Sequence, residues 1–99
     1  MTEKKEIIDV EEYARSGKPV PSKMSYKIRI DRESFIVDSE CLTGRQLLEL
    51  AGKTPIERYQ INQKLRGGEI KKIQYDEEIC FTTPGVERFM TLPLDQTEG

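Results

Sequence analysis

The strongest helix start in the sequence lies in the stretch Leu42-Thr43-Gly44-Arg45-Gln46-Leu47-Leu48. Thr43 is a favoured N-cap, and Gln46, three residues later, can accept a hydrogen bond from the backbone N–H of the cap residue. An apolar stripe follows, made of Leu47, Leu48, Leu50 and Ala51. Because Gly52 comes next, where helices commonly end, the sequence predicts a helix of about two to three turns that packs on a core.

Segments typical of β-strands lie on both sides of this helix, each with apolar residues in alternation or in a short run. They are residues 26–30, 35–37, 59–65, 79–81 and 86–92. The first two predict a β-hairpin. Gly67 and Gly68 follow the third segment and can supply the positive φ of a tight turn. We expect Pro93 to end the last strand, because proline has no N–H to donate.

The chain divides by composition into a leader at residues 1–24, a domain at residues 25–93 and a flexible tail at residues 94–99. The leader contains Pro19-Val20-Pro21, which disfavours helix and predicts an extended linker. Every strong cap and turn signal lies after this linker. We therefore interpret the leader as a segment apart from the domain, and we expect residues 26–92 to fold without it.

The leader has its own short helix signal and a small apolar set. Asp9 is an N-cap candidate, and Gly17 can serve as the residue that ends a two-turn helix. Val10, Tyr13 and Val20 are apolar side chains on a segment that is too short to bury them alone. The sequence therefore predicts that these three residues mediate self-association.

Length and charge limit the kinds of partner. With 99 residues and 35% hydrophobic content, the chain can form one modest core. Few apolar side chains then remain to line a deep pocket. A net charge of −2 gives no overall field that would attract nucleic acid or an acidic membrane. No apolar run approaches the roughly 20 residues of a membrane span, and no signal-peptide core is present, so we expect a cytoplasmic protein.

The residue types that support catalysis or metal binding are scarce. The sequence has no histidine, which removes the commonest general base and metal ligand. Cys41 and Cys80 lack the close spacing of a metal site, and we expect them to be buried, reduced thiols. The carboxylates of Asp76, Glu77 and Glu78 point apart if they lie on a strand or turn. We therefore expect no metal, no cofactor and no enzymatic activity.

Three stretches carry a family resemblance. They are Leu42 to Leu48, Gln63-Lys64-Leu65-Arg66-Gly67-Gly68-Glu69 and Pro84-Gly85-Val86-Glu87-Arg88-Phe89-Met90-Thr91-Leu92-Pro93. Together with the order of hairpin, capped helix, shorter strands and free tail, they resemble the bacterial multiubiquitin-type ubiquitin-like proteins over residues 25–99. The resemblance implies an α+β fold, a ubiquitin-like β-grasp in which a mixed sheet wraps one helix, here with an N-terminal extension.

The same resemblance implies a set of partners and a reacting group. Relatives are activated by an E1-like enzyme, carried by an E2-like enzyme and removed by a JAB-type metallopeptidase. Gly99 is the expected conjugation residue, since adenylation needs a carboxylate at the end of an unhindered tail. Leu94, Asp95 and Glu98 are the residues expected to be recognised in that tail. This chain has one β-grasp domain where many relatives have several, and it ends in Glu98-Gly99 rather than in two glycines.

Three functions remain open at this point. The first is a covalent protein modifier joined through Gly99 by an amide or an ester linkage, whether that glycine is the native end or is exposed by cleavage. The second is a non-covalent module that assembles through its leader. The third, a sulfur carrier with a terminal thiocarboxylate, is disfavoured by Glu98, because such carriers end in two glycines.

Overall fold

Two sheets and two short helices make up the fold in the computed structural model, which describes residues 6–94. The strands are β1 (Ile7–Asp9), β2 (Ser25–Ile30), β3 (Glu33–Val37), β4 (Cys41–Thr43), β5 (Tyr59–Leu65), β6 (Ile70–Ile73), β7 (Glu78–Cys80) and β8 (Val86–Pro93). The helices are α1 (Val10–Ser16) and α2 (Gly44–Leu50), and a 3-10 turn spans Ile56–Arg58. Among the described residues, no helix is long and apolar enough to cross a membrane.

The main sheet is mixed, with β2 and β8 as its parallel central pair. The hairpin partner β3 lies on one side of β2, while β5 and then β6 continue antiparallel beyond β8. The strands β4 and β7 form a separate antiparallel pair. This topology confirms the predicted α+β class. The hairpin and the strand at residues 59–65 lie where the alternation predicts them, whereas the short strands β4 and β6 carried no sequence signal of their own.

The core lies between the main sheet and α2. Leu47 and Leu48 of α2 are both fully buried, as the apolar stripe predicts. The ring of Phe81 packs between two others, 5.9 Å from the centroid of Tyr26 and 6.2 Å from that of Phe89. Burial of each large apolar side chain contributes on the order of 2 kcal/mol. These aromatic contacts hold Phe81, which follows β7, between β2 and β8.

The start of α2 confirms the predicted capping box. The backbone N–H of Gln46 donates to Oγ1 of Thr43 at 3.1 Å, and the backbone N–H of Thr43 donates to Oε1 of Gln46 at 2.9 Å. The first helical residue, Gly44, also touches the loop between β6 and β7. A Cβ at this position would collide with the carbonyl oxygen of Gln74, and the Gly44 N–H donates to the carbonyl of Glu77 at 3.1 Å. The glycine is thus required by a close approach of two backbones.

The leader is part of the main sheet, which corrects its interpretation as a segment apart. Strand β1 pairs in parallel with β2, with Ile8 opposite Tyr26. One edge of β2 pairs with β3, so β1 and β8 both lie along the opposite edge. On that edge β8 pairs with β2 only between Ile30 and Phe89. The short helix is confirmed: α1 follows β1 directly and packs on β8 and β2. The leader therefore fills the part of the sheet where β2 and β8 are not paired.

The two cysteines form a disulfide, which makes the expectation of reduced thiols wrong for this structure. Cys41 on β4 lies directly opposite Cys80 on β7, with their Cα atoms 3.9 Å apart. They are 39 residues apart in sequence. Their pairing could not be read from spacing because it depends on the register of two strands that local pattern does not reveal.

Candidate functional site at the exit of the tail

The chain leaves the main sheet at the end of its last strand, β8. Strand β8 pairs with β5 along its length, and the final pair joins Tyr59 and Pro93. The N–H of Leu94 then donates to the carbonyl of Arg58 at 2.8 Å. The pairing therefore continues one residue beyond Pro93, against the expectation that the proline ends it. A proline removes only its own donor, so the next residue can resume the hydrogen bonds.

A side-chain clamp holds β8 just before this exit. The carboxylate of Asp31, in the turn between β2 and β3, accepts hydrogen bonds from the backbone N–H of Thr91 at 2.8 Å and from its hydroxyl. The N–H of Asp31 donates in turn to the carbonyl of Phe89 at 2.9 Å. Asp31 has a φ of 57°, a conformation that aspartate tolerates better than most residues. The hairpin turn thus fixes the direction in which the chain leaves the sheet.

An open groove of about 560 Å³ lies beside the clamp. It is lined by Ile30, Asp31, Arg32, Glu33, Ala51, Lys53, Tyr59, Thr91 and Pro93. We call it the tail-exit groove. The ammonium group of Lys53 lies 5.8 Å from the ring centroid of Tyr59, a cation–π contact. The groove is open and lined by charged side chains of both signs, which suits contact with another protein better than enclosure of a small molecule.

The structure places one of the four predicted tail residues. Leu94 is 38% exposed and borders a small cavity of about 60 Å³ next to Tyr75 and Gln60. The hydroxyl of Tyr75 donates to the carbonyl of Tyr59 at 2.7 Å, which fixes one wall of that cavity. Asp95, Glu98 and Gly99 lie outside the described residues.

The predicted self-association residues lie on the chain's own core. Val10 is 1% exposed, and Tyr13 and Val20 are partly buried against the core cluster. Two ion pairs also connect the leader helix to the sheet, Glu11 with Arg29 at 3.3 Å and Arg15 with Glu87 at 3.9 Å. Around them, Glu11 also pairs with Arg15 within the helix at 2.8 Å, and Glu87 with Lys64 within the sheet at 3.6 Å. We call this group the leader clasp. Within the single chain, the domain thus covers the side chain of Val10 fully and those of Tyr13 and Val20 in part.

Sequence reasoning missed Asp31 and the leader clasp. An aspartate at a hairpin turn is an ordinary turn residue, and its bond to Thr91 spans 60 positions of sequence. The clasp pairs a helix with strands that follow much later in the chain. The weak signal was the helix pair Glu11 and Arg15, whose spacing of four residues is typical of a surface ion pair.

The comparisons with known proteins agree with this architecture. Residues 26–93, more than half of the chain, match the family model described as multiubiquitin. The chain matches no curated protein and no solved structure significantly. The matched span runs from β2 to the end of β8 and so contains α2 and every strand except β1, which belongs to the leader. With its ubiquitin-like fold, this chain belongs to the multiubiquitin family.

Proposed function

We propose that this protein is a covalent modifier, activated at the carboxylate of Gly99 by an E1-like enzyme and passed through an E2-like enzyme to a target. It acts as the substrate of these enzymes and is not an enzyme itself. A JAB-type metallopeptidase is the proposed enzyme of removal. ATP-dependent activation assigns the pathway to the cytoplasm. Whether Gly99 is the native end or is exposed by cleavage, the reacting group is the same.

The observation that carries this proposal is the way in which the fold presents the chain end. The Asp31 clamp and the bond from Leu94 to Arg58 hold the chain up to residue 94. Residues 95–99 follow, and at about 3.3 to 3.6 Å each these five residues span at most roughly 18 Å. That reach allows the carboxylate to enter an enzyme channel while the tail-exit groove stays at its mouth. Leu94, Asp95 and Glu98 are the proposed contacts of the tail in that channel.

The test combines purified protein, ATP and an E1-like enzyme encoded beside it, and detects a reducible thioester adduct by mass. Gly99→Val places a β-branched side chain next to the reacting carboxylate and should abolish the adduct while leaving the urea unfolding curve unchanged. Thr97→Val is the matched control, which introduces the same side chain two residues earlier and should retain the adduct. An equal yield of adduct from wild type and Gly99→Val would remove the role assigned to Gly99.

A second candidate function, non-covalent self-assembly through the leader, is favoured by one observation. The leader contributes a strand and three buried residues, Ile8, Val10 and Ala14, yet it is joined to β2 only through residues 17–24. The leader of a second copy could make identical contacts in the same place, which is the condition for domain swapping. In this proposal Val10, Tyr13 and Val20 form the interface after exchange.

Light scattering at several concentrations tests the exchange. Deleting Lys18, Pro19 and Pro21 shortens the connector but keeps Val20, so that the leader can no longer fold back on its own domain, and should convert monomers into dimers. Replacing the same three residues by serine keeps both the length and Val20, and should leave the distribution of the wild type. If the shortened protein stays folded and monomeric at all concentrations, exchange does not occur.

A further inference from the structure

Two sulfurs and a carboxylate share the outer face of the small sheet. The register pairs Leu42 with Ile79 and Cys41 with Cys80. Ile79 is buried and Leu42 packs against the core, so by the alternation of strands both cysteines point to the opposite face, together with Glu78 two residues before Cys80. The sulfur atoms and a carboxylate oxygen of Glu78 all lie within 4.8 Å of one another.

Once the disulfide is reduced, these three groups are available to a ligand. Both cysteines are half-buried and Glu78 is exposed. Within residues 6–94, Glu78 takes part in no ion pair and no side-chain hydrogen bond. Thr43 lies opposite Glu78 on the same face, but its hydroxyl already caps α2. The carboxylate therefore has no structural partner that would compete with a ligand.

We propose that the reduced protein binds a thiophilic divalent cation, Zn²⁺, through the sulfurs of Cys41 and Cys80 and the carboxylate of Glu78. Thiolates and carboxylate are ligands that Zn²⁺ accepts together, and water completes the tetrahedron. Two sulfurs on a tetrahedral Zn²⁺ lie about 3.8 Å apart, given Zn–S distances of about 2.3 Å. Side chains that start directly opposite each other on paired strands reach this separation by rotation about χ1, while the strands keep their register.

The disulfide and the metal site are alternative states of the same two sulfurs. A dithiol reductant gives two electrons and two protons to the disulfide, which yields two thiols and the disulfide of the reductant. Zn²⁺ then displaces both thiol protons and is held by two thiolates. Oxidation by a disulfide-class oxidant re-forms the bond between Cys41 and Cys80, reduces the oxidant and releases the cation. The site therefore binds metal only under reducing conditions, such as those of a cytosol.

The experiment titrates Co²⁺ into the full chain after reduction and removal of the reductant, and follows thiolate-to-cobalt charge-transfer absorption and the visible bands of tetrahedral Co²⁺. Competition with Zn²⁺ gives the affinity of the native cation. The oxidised protein serves as a control that keeps every side chain, and it should show neither signal. We expect Cys41→Ser and Cys80→Ser each to abolish the charge-transfer band.

Glu78 is tested with a matched pair of variants. Glu78→Gln should weaken Zn²⁺ binding by at least about tenfold. Glu69→Gln removes the same charge from the exposed turn between β5 and β6 and should leave the affinity unchanged. Absence of a charge-transfer band in the reduced wild type, with its fold verified by circular dichroism, would overturn the site. Equal affinities for Glu78→Gln and Glu69→Gln would exclude Glu78 as a ligand.

Discussion

Asp31 is the residue whose side chain joins the β2–β3 turn to the strand that leads to the tail. We expect Asp31→Ala to lower the free energy of unfolding by about 1 to 3 kcal/mol, because the N–H and hydroxyl of Thr91 lose a charged acceptor. Asp31→Asn should cost less, since asparagine tolerates a positive φ and its amide oxygen can still accept from the Thr91 N–H. Urea unfolding of both variants measures the difference. If Asp31→Ala unfolds like the wild type, the hydrogen bonds to Thr91 contribute nothing to stability.

Gly44 provides a second prediction at the scale of one residue. Alanine normally stabilises a helix over glycine by about 1 kcal/mol. At Gly44 the added methyl group would meet the backbone of Gln74, which cannot move aside as a flexible side chain would. We therefore expect Gly44→Ala to destabilise the protein by about 1 to 3 kcal/mol, as overpacking does. Thermal or urea unfolding measures whether the free energy of unfolding falls or rises. A rise would mean that the loop between β6 and β7 moves away from the added methyl group at little cost.

Helix α2 is the element that completes the core against the main sheet. Leu47 is fully buried, so Leu47→Ala should lower the free energy of unfolding by about 2 to 5 kcal/mol through lost burial and a residual cavity. Glu49→Ala on the exposed side of the same helix is the control and should change stability by less than about 0.5 kcal/mol. Similar costs for the two substitutions, measured by urea unfolding, would contradict the orientation of the helix.

At the scale of the whole molecule, the leader and the domain share one core, and neighbouring isoleucines of β1 can test this. Ile8 is 3% exposed whereas Ile7 is 52% exposed. We expect Ile8→Ala to lower the free energy of unfolding by about 2 to 5 kcal/mol and Ile7→Ala to lower it much less, because only the first side chain leaves a cavity. Deletion of residues 1–24 should likewise weaken the cooperative transition. If Ile8→Ala unfolds like the wild type, the leader is separable after all.

The leader and the start of the tail lie at opposite ends of β8. The family match covers residues 26–93, while the leader closes the part of the sheet where β2 and β8 are not paired. The tail leaves from the opposite end of β8, where Thr91 is clamped by Asp31. The two proposed functions, exchange of the leader and conjugation of the tail, therefore use different ends of the sheet.

The sequence by itself determined the features that depend on neighbours along the chain. The capping box of Thr43 and Gln46 joins residues three apart, so its signal is complete within one turn. The β2–β3 hairpin, the strand at residues 59–65 and the glycine turn at Gly67 and Gly68 follow from alternation and from glycine's access to positive φ.

Only the tertiary structure decided the features that join distant parts of the chain. The place of β1 beside β2, the bond between Cys41 and Cys80 and the clamp of Asp31 on Thr91 each depend on how strands align after folding. Three-residue strands such as β1 and β4 are too short for alternation to reveal. Their pairing depends on which strand edges remain unpaired after the rest of the sheet has formed, and on the register available there. No local pattern of residues encodes either of these.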